Sequence, residues 1–225
     1  MQLVIVKGRE SRVAPDSRDR MVRAAIELFR ERGYAATSFG DVLARSGAPR
    51  GSIYHHFPGG KEELAAEALR RYTAATVRAL TAAIEAGTAV EAVRAFIAAS
   101  RDSLVASGFR QSCPIAGVAL DLMPADGALA GYAAEAFDRW RELIAVALKR
   151  DGVPAVRASA LATLVVATAE GALLLARVDR SPTAIDAAGA ELLAHVAAVV
   201  DGTGTARSAT VSEARSARRG RAGRA

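Results

Sequence analysis

The stretch TSFGDVLARSGAPRGSIYHHFPGGKEELAAEAL, residues 37–69, decides the fold. Ser38 followed by Asp41 fits a capping box, with Asp in place of the commoner Glu. A short helix starts there, turns Val42 and Leu43 inward, and stops before Gly47. Gly47-Ala48-Pro49 reads as a tight turn. The next helix begins near Arg50 and reaches Phe57, with Ile53 and Phe57 four apart on its packed face. Pro58-Gly59-Gly60 breaks it, and a long helix runs from Lys61 to about Glu85. Two short helices across a tight, glycine-containing turn make a helix-turn-helix.

Such a unit must anchor one face of its second helix and expose small and hydrogen-bonding residues on the other. Ile53 and Phe57 anchor here, which leaves Arg50, Gly51, Ser52, Tyr54, His55 and His56 outside. Gly51 has no side chain to collide with base edges. Arg50 and Ser52 fall in the predicted first turn, where a helix favours anions. Tyr54, His55 and His56 carry neutral donors suited to phosphate oxygens, and Lys61 can reach the backbone as a charge. Thr37 and Ser38 complete the candidate DNA-contacting set. Adjacent histidines on a helix point about 100° apart, so His55 and His56 do not chelate one ion.

Outward from this unit the chain reads as helix throughout. Upstream, 17–32 carries Val22, Ala25, Ile26 and Phe29 at helical spacing, capped by Asp16 or Ser17 and ended by Gly33. Downstream, helices are predicted over 88–106, 113–122, 127–150, 155–179 and 183–200, split by glycines and prolines. The fold class is all-α: an N-terminal three-helix helix-turn-helix domain, then a C-terminal helical domain. The expected organisation is a disordered arm over 1–15, a DNA-binding domain over 16–61, a second domain over 62–201, and a disordered basic tail over 202–225, rich in Gly, Ser, Ala and Arg.

The 225 residues are 51% hydrophobic but only 5% aromatic, so a sizeable core is built largely from alanine, the best helix former. The net charge of +6 is unevenly placed: +2 over 1–15, +3 over 16–61, −4 over 62–201 and +5 over 202–225. Basic ends beside an acidic body suit a polyanion at the ends; the same asymmetry also occurs on ordinary solvated surfaces. One cysteine forms no internal disulfide, which suits a reducing compartment. The apolar run 3–6 is too short for a signal or a span, and no other stretch reads as a membrane helix. A soluble, cytoplasmic protein is expected.

The set Gly51, Tyr54, His55, His56, Phe57, Lys61, Glu62, Glu63, Leu64, with AAIELFRERGYAATS upstream, resembles the DNA-binding domain of the TetR family of bacterial regulators. The extra glycine of Gly59-Gly60 and the segment SCPIAGVALD, residues 112–121, resemble its subgroup of lincomycin-resistance and flavonoid-responsive repressors. The resemblance implies an all-α homodimer of about nine helices that binds double-stranded operator DNA. It implies a small-molecule inducer in the C-terminal region that moves the fourth helix, resets the spacing of the recognition helices and releases DNA. The derepressed gene in such systems is often an efflux pump or a catabolic enzyme.

Under that reading Tyr72, Phe96, Phe109, Cys113, Met123, Phe137 and Trp140 are candidates to line the inducer pocket; ordinary core is the alternative. Cys113 lacks a local signature for a reactive thiolate and reads as a small apolar residue. Leu161, Leu164, Val165, Thr168, Leu192, Val196 and Val199 are candidates for a four-helix bundle shared between two subunits, against a purely intramolecular core. His195 reads as an interface histidine. No cofactor, metal or catalytic pattern stands out. An architectural DNA binder without ligand, and an enzyme, are the competing functions.

Overall fold

Met21, Val22, Ala25, Leu28 and Phe29 recur every three or four residues and are buried, which makes α1 (Ser17–Arg32) amphipathic. Gly33 stops it at φ +84, where an L side chain is strained. A Cβ there would also stand 2.7 Å from an Asp121 carboxylate oxygen. The computed structural model describes residues 16–122 and 127–222, with side chains over 16–122 and 127–202. The expected arm over 1–15 lies outside the described residues.

Both halves of the predicted capping box start α2 (Phe39–Ser46). The Ser38 hydroxyl accepts from the Asp41 backbone N–H, and the Asp41 carboxylate accepts from the Ser38 backbone N–H. Ser38 and Arg32 together hold the Asp41 carboxyl down at about 2. Gly47 ends the helix in the left-handed conformation at φ +63. The recognition helix α3 spans Ser52–His56, shorter than the sequence suggests. Arg50 and Gly51 belong to the turn before it, and Phe57 caps its end. Then follow α4 (Gly60–Ala86), α5 (Ala89–Ala106), α6 (Pro114–Leu122), α7 (Ala128–Arg150), α8 (Ala155–Asp179) and α9 (Thr183–Ala222). The described residues are helices and connections, without a strand.

α1 packs on α2, α3, α4 and α6, while α7 packs on α4, α6 and α8, and α8 on α9. The expected boundary at 61/62 therefore falls in the first turn of α4, one helix that belongs to both halves. Arg18–Glu67 at 3.3 Å and Arg71–Asp19 at 2.7 Å fasten α1 to α4, and Arg71–Glu67 at 2.7 Å, within α4, joins the two pairs. On the other side, Gly117 of α6 comes so close to α1 that its Cβ would lie 3.6 Å from the Phe29 carbonyl oxygen. Asp121 of α6 accepts from the Ala35 backbone N–H at 2.8 Å.

Two expectations meet a different structure. The backbone stays helical through Ala222, where composition suggests a disordered tail from 202. Extending a formed helix fixes one residue per added bond, which Ala and Arg favour. Second, α8 and the Thr183–Gly202 part of α9 are long and apolar enough to cross a membrane, with mean hydropathies of 1.8 and 1.4. Length and composition alone also admit the core helix of a bundle. In α8, Ala158, Leu161, Ala162, Val165, Val166 and Ala169 are spent on the core.

Candidate functional site

The two faces of α3 differ sharply. Ile53 and Phe57 are completely buried, whereas the Tyr54 side chain is 68% exposed and meets Phe39 edge-on at 5.6 Å. The Arg50 and His55 side chains are exposed and hold no hydrogen bond among the described residues, although the His55 ring meets that of His56 edge-on at 5.3 Å. A Cβ on Gly51 would meet nothing within 4 Å, and the residue has right-handed helical angles. Nothing inside the chain requires glycine at that position.

Other predicted contacts are partly committed. Thr37 is buried, and its hydroxyl donates to the Gly33 carbonyl at 2.7 Å. It holds the turn after α1 and is not on the outer face, which corrects its place in the DNA-contacting set. The Ser38 hydroxyl serves the capping box. Ser52 donates to the Pro49 carbonyl at 2.6 Å, and His56 Nε2 lies 2.8 Å from the Ser17 hydroxyl. Lys61 Nζ stands 4.1 Å from the Tyr34 ring centre and 3.5 Å from the Ala35 carbonyl. Burial lowers its ammonium below the usual range. The groups left free cluster at Arg50, Gly51, Tyr54 and His55.

A second site is a cavity of about 420 Å³ among α1, α4, α5, α7 and α8. Of the predicted pocket residues, Tyr72, Phe96, Cys113 and Trp140 line it. Trp140 centres an aromatic cluster, with edge-on contacts to Phe137 at 5.5 Å, Phe96 at 6.0 Å and Tyr72 at 6.5 Å. Phe137 thus supports the wall from behind. Phe109, at φ +62, lines a different surface hollow beside Arg177 and Arg180. Met123 lies outside the described residues. Trp140 Nε1 is a buried donor without a partner among the described residues, uncommon enough to mark a site.

Several polar wall groups escaped the sequence reading, among them Arg30, Ser103, Ser112 and Glu170. Burial pushes the Glu170 carboxyl up to about 7, against the pull of its hydrogen bond with Cys113. The same burial raises the Cys113 thiol well above its usual value, so it is no ready nucleophile. Arg30 Nε donates to the Ser112 carbonyl at 3.0 Å and its terminal nitrogen to the Ser103 hydroxyl at 2.6 Å. No local pattern could have revealed these residues, because their partners lie 57 or more positions away.

The expected dimer residues need correction. Leu161, Val165, Leu192 and Val196 are buried within their own chain, so they form no outer face. Leu164 is exposed, and Thr168 and Val199 are half-buried. With Leu164, the exposed Gly171, Leu174, Leu175 and Val178 make a stripe at helical spacing down α8. His195 is exposed on α9 and meets Arg157 at 3.4 Å.

Residues 21–68 match the family of bacterial regulatory proteins, tetR family. Residues 89–191 match the C-terminal domain of LmrA/YxaF-like transcriptional regulators. The uncharacterized HTH-type transcriptional regulator Rv0196 of Mycobacterium tuberculosis is 44% identical over 174 residues, 75% of this chain and 88% of that protein. The HTH-type transcriptional regulator LmrA of Bacillus subtilis is 31% identical over 169 residues, 75% and 90% of the two chains. Among solved structures, a cysteine mutant of the regulator CifR with 26-base-pair operator DNA superposes with a TM-score of 0.65 at 22% identity. That match covers 85% of this chain and 98% of the other.

Proposed function

This chain belongs to the TetR family of bacterial regulatory proteins, and from that premise we propose that it is a homodimeric repressor released from its operator by a small molecule. It is a DNA-binding transcriptional regulator, and its relatives are named as regulators rather than enzymes. The observation that carries the reading is the split of α3, with Ile53 and Phe57 sealed in the core and Tyr54 displayed beside Arg50 and His55. That face sits in the major groove, where Arg50 reads base edges and Tyr54 grips phosphate. Gly51 brings the backbone close. Residues 16–61 act as the reading unit, 62–201 as the ligand and dimer unit, and α4 links the two.

The exposed α8 stripe supports the dimer. A contiguous apolar face of this kind marks an interaction surface, and two copies related by a twofold axis would cover it with a four-helix bundle. The cavity supports the release step. Its occupant shifts the protein toward whichever spacing of the recognition helices it favours, by its differential affinity and no more. A soluble cytoplasmic protein follows from this role.

The test is binding to the DNA upstream of the chain's own gene, titrated against salt and random competitor. Saturable binding to one palindromic segment supports the repressor. Binding that follows salt alone, without a preferred segment, favours an architectural role. On that segment Tyr54→Phe should cost about 1 kcal/mol on every sequence, one phosphate hydrogen bond. Arg50→Ala should instead relax sequence preference. Wild-type behaviour of both variants would move the recognition face elsewhere.

A further inference from the structure

Among the described residues, the cavity wall carries one basic side chain, Arg30, and one carboxyl, Glu170. Arg30 comes from the last turn of α1, a helix of the DNA-binding half, yet its guanidinium reaches the cavity. It has no carboxylate partner among the described residues. Its bonds go to a neutral carbonyl on Ser112 and a neutral hydroxyl on Ser103, and it stands 5.9 Å from the Tyr72 ring centre. A half-buried cation facing apolar walls without a counter-charge is under-compensated. An ionised acceptor would bond it more strongly than either neutral partner does. Glu170 is not bonded to Arg30: its carboxyl, raised to about 7 by burial, hydrogen-bonds Cys113 instead.

We propose that the cavity binds an aromatic molecule bearing an anionic group, that Arg30 takes this group, and that Arg30 reports the occupancy straight to α1. The inference rests on the ligand-responsive reading above. The aromatic body lies against Tyr72, Phe96 and Trp140, and the anion lies at the α1 end. The ring cluster gives edge and face contacts, and the guanidinium fork holds a carboxylate or sulfonate by paired bonds.

The α1 terminus is fixed at this same point. Its Arg30 carbonyl accepts from the Ser112 backbone N–H at 3.0 Å. Arg177 of α8 donates to the Glu31 carbonyl and, at 3.2 Å, to the Ser112 hydroxyl. Drawing the guanidinium toward a ligand removes its bonds to Ser103 and Ser112. That loosens one side of the clamp on α1, which packs directly on α2 and α3. This route from ligand to reading head does not pass through α4.

The test uses two probes on one ring system: anionic 1-anilinonaphthalene-8-sulfonate and neutral N-phenyl-1-naphthylamine. Trp140 is the chain's one tryptophan, so quenching of its emission reads occupancy of this cavity. The full chain should bind the sulfonate with one site per subunit, about tenfold or more tighter than the neutral probe. Arg30→Gln should erase that preference while the neutral probe still binds, and Arg30→Lys should restore part of it. Ser103→Ala, which leaves Arg30 intact and frees it, should tighten the sulfonate; it keeps the test open if the Arg30 variants fail to fold. Hydrogen exchange at the end of α1 should rise with the sulfonate and not with the neutral probe. Equal binding of the two probes, or a preference that survives Arg30→Gln, overturns the role of Arg30 and leaves the cavity as a ligand site. Failure of both probes to quench Trp140 overturns the ligand-responsive reading, and this inference with it.

Discussion

Gly51 and Glu170 are residues whose character is set by what surrounds them. At Gly51 the backbone is helical and the space beyond it empty, so the fold gains nothing from glycine. Gly51→Ala should therefore raise stability by about 0.4–1 kcal/mol through the unfolded chain. It should weaken operator binding by about 1 kcal/mol or more, because the new methyl meets DNA. Thermal melts and operator titration on the same variant check both signs. Glu170 is the reverse case, a residue the fold tolerates at a cost. Its carboxyl rises from 4.5 to about 7 on folding. The folded state then binds the proton more tightly, so stability is full below pH 4.5 and falls as pH rises to about 7. Glu170→Gln should match the parent at pH 4.5 and exceed its stability at pH 8 by about 1–3 kcal/mol. Denaturant melts at the two pH values decide; an equal gap at both would move the cause away from ionisation.

Elements show why some of this was legible in the sequence. The capping box of α2 is written in residues 38–41, and the anchors of α3 in residues 53 and 57, so local spacing suffices. Thr37 is not legible in this way, because a hydroxyl beside a turn has a backbone carbonyl within reach, here that of Gly33. α8 is harder still. It is apolar all round, so periodicity does not tell the inner Leu161 and Val165 from the outer Leu174 and Leu175. Arg30 was hidden because Ser103 and Ser112 meet it only after folding. The α6–α1 contact is of the same long-range kind. Asp121→Ala should cost about 1 kcal/mol and speed exchange of the Ala35 amide that it binds. An unchanged exchange rate would mean that this bond does not hold the turn.

At the scale of the whole molecule, the proposed dimer rests on the exposed Leu164, Leu174, Leu175 and Val178. Placing charge there should split the dimer without touching the core. Leu174→Glu with Leu175→Glu should raise the dimer dissociation constant roughly a hundredfold, about 3 kcal/mol. Sedimentation velocity reads this directly, and an unaltered dimer would move the interface off α8. Melting of the monomeric core should change far less than operator affinity, which in the proposed dimer depends on two reading heads held at fixed spacing.

The fastening of α1 to α4 by Arg18, Asp19, Glu67 and Arg71 has a consequence for how operator binding responds to its medium. These pairs are partly exposed, so dissolved ions screen them. The same ions compete for the phosphates that the reading head neutralises. Added salt therefore acts twice, on the grip and on the wrist behind it. The logarithmic slope of affinity against salt will be steeper than the number of phosphates touched. Shortening the charge ladder with Arg71→Gln should flatten that slope although Arg71 is part of α4 and not of the reading helix.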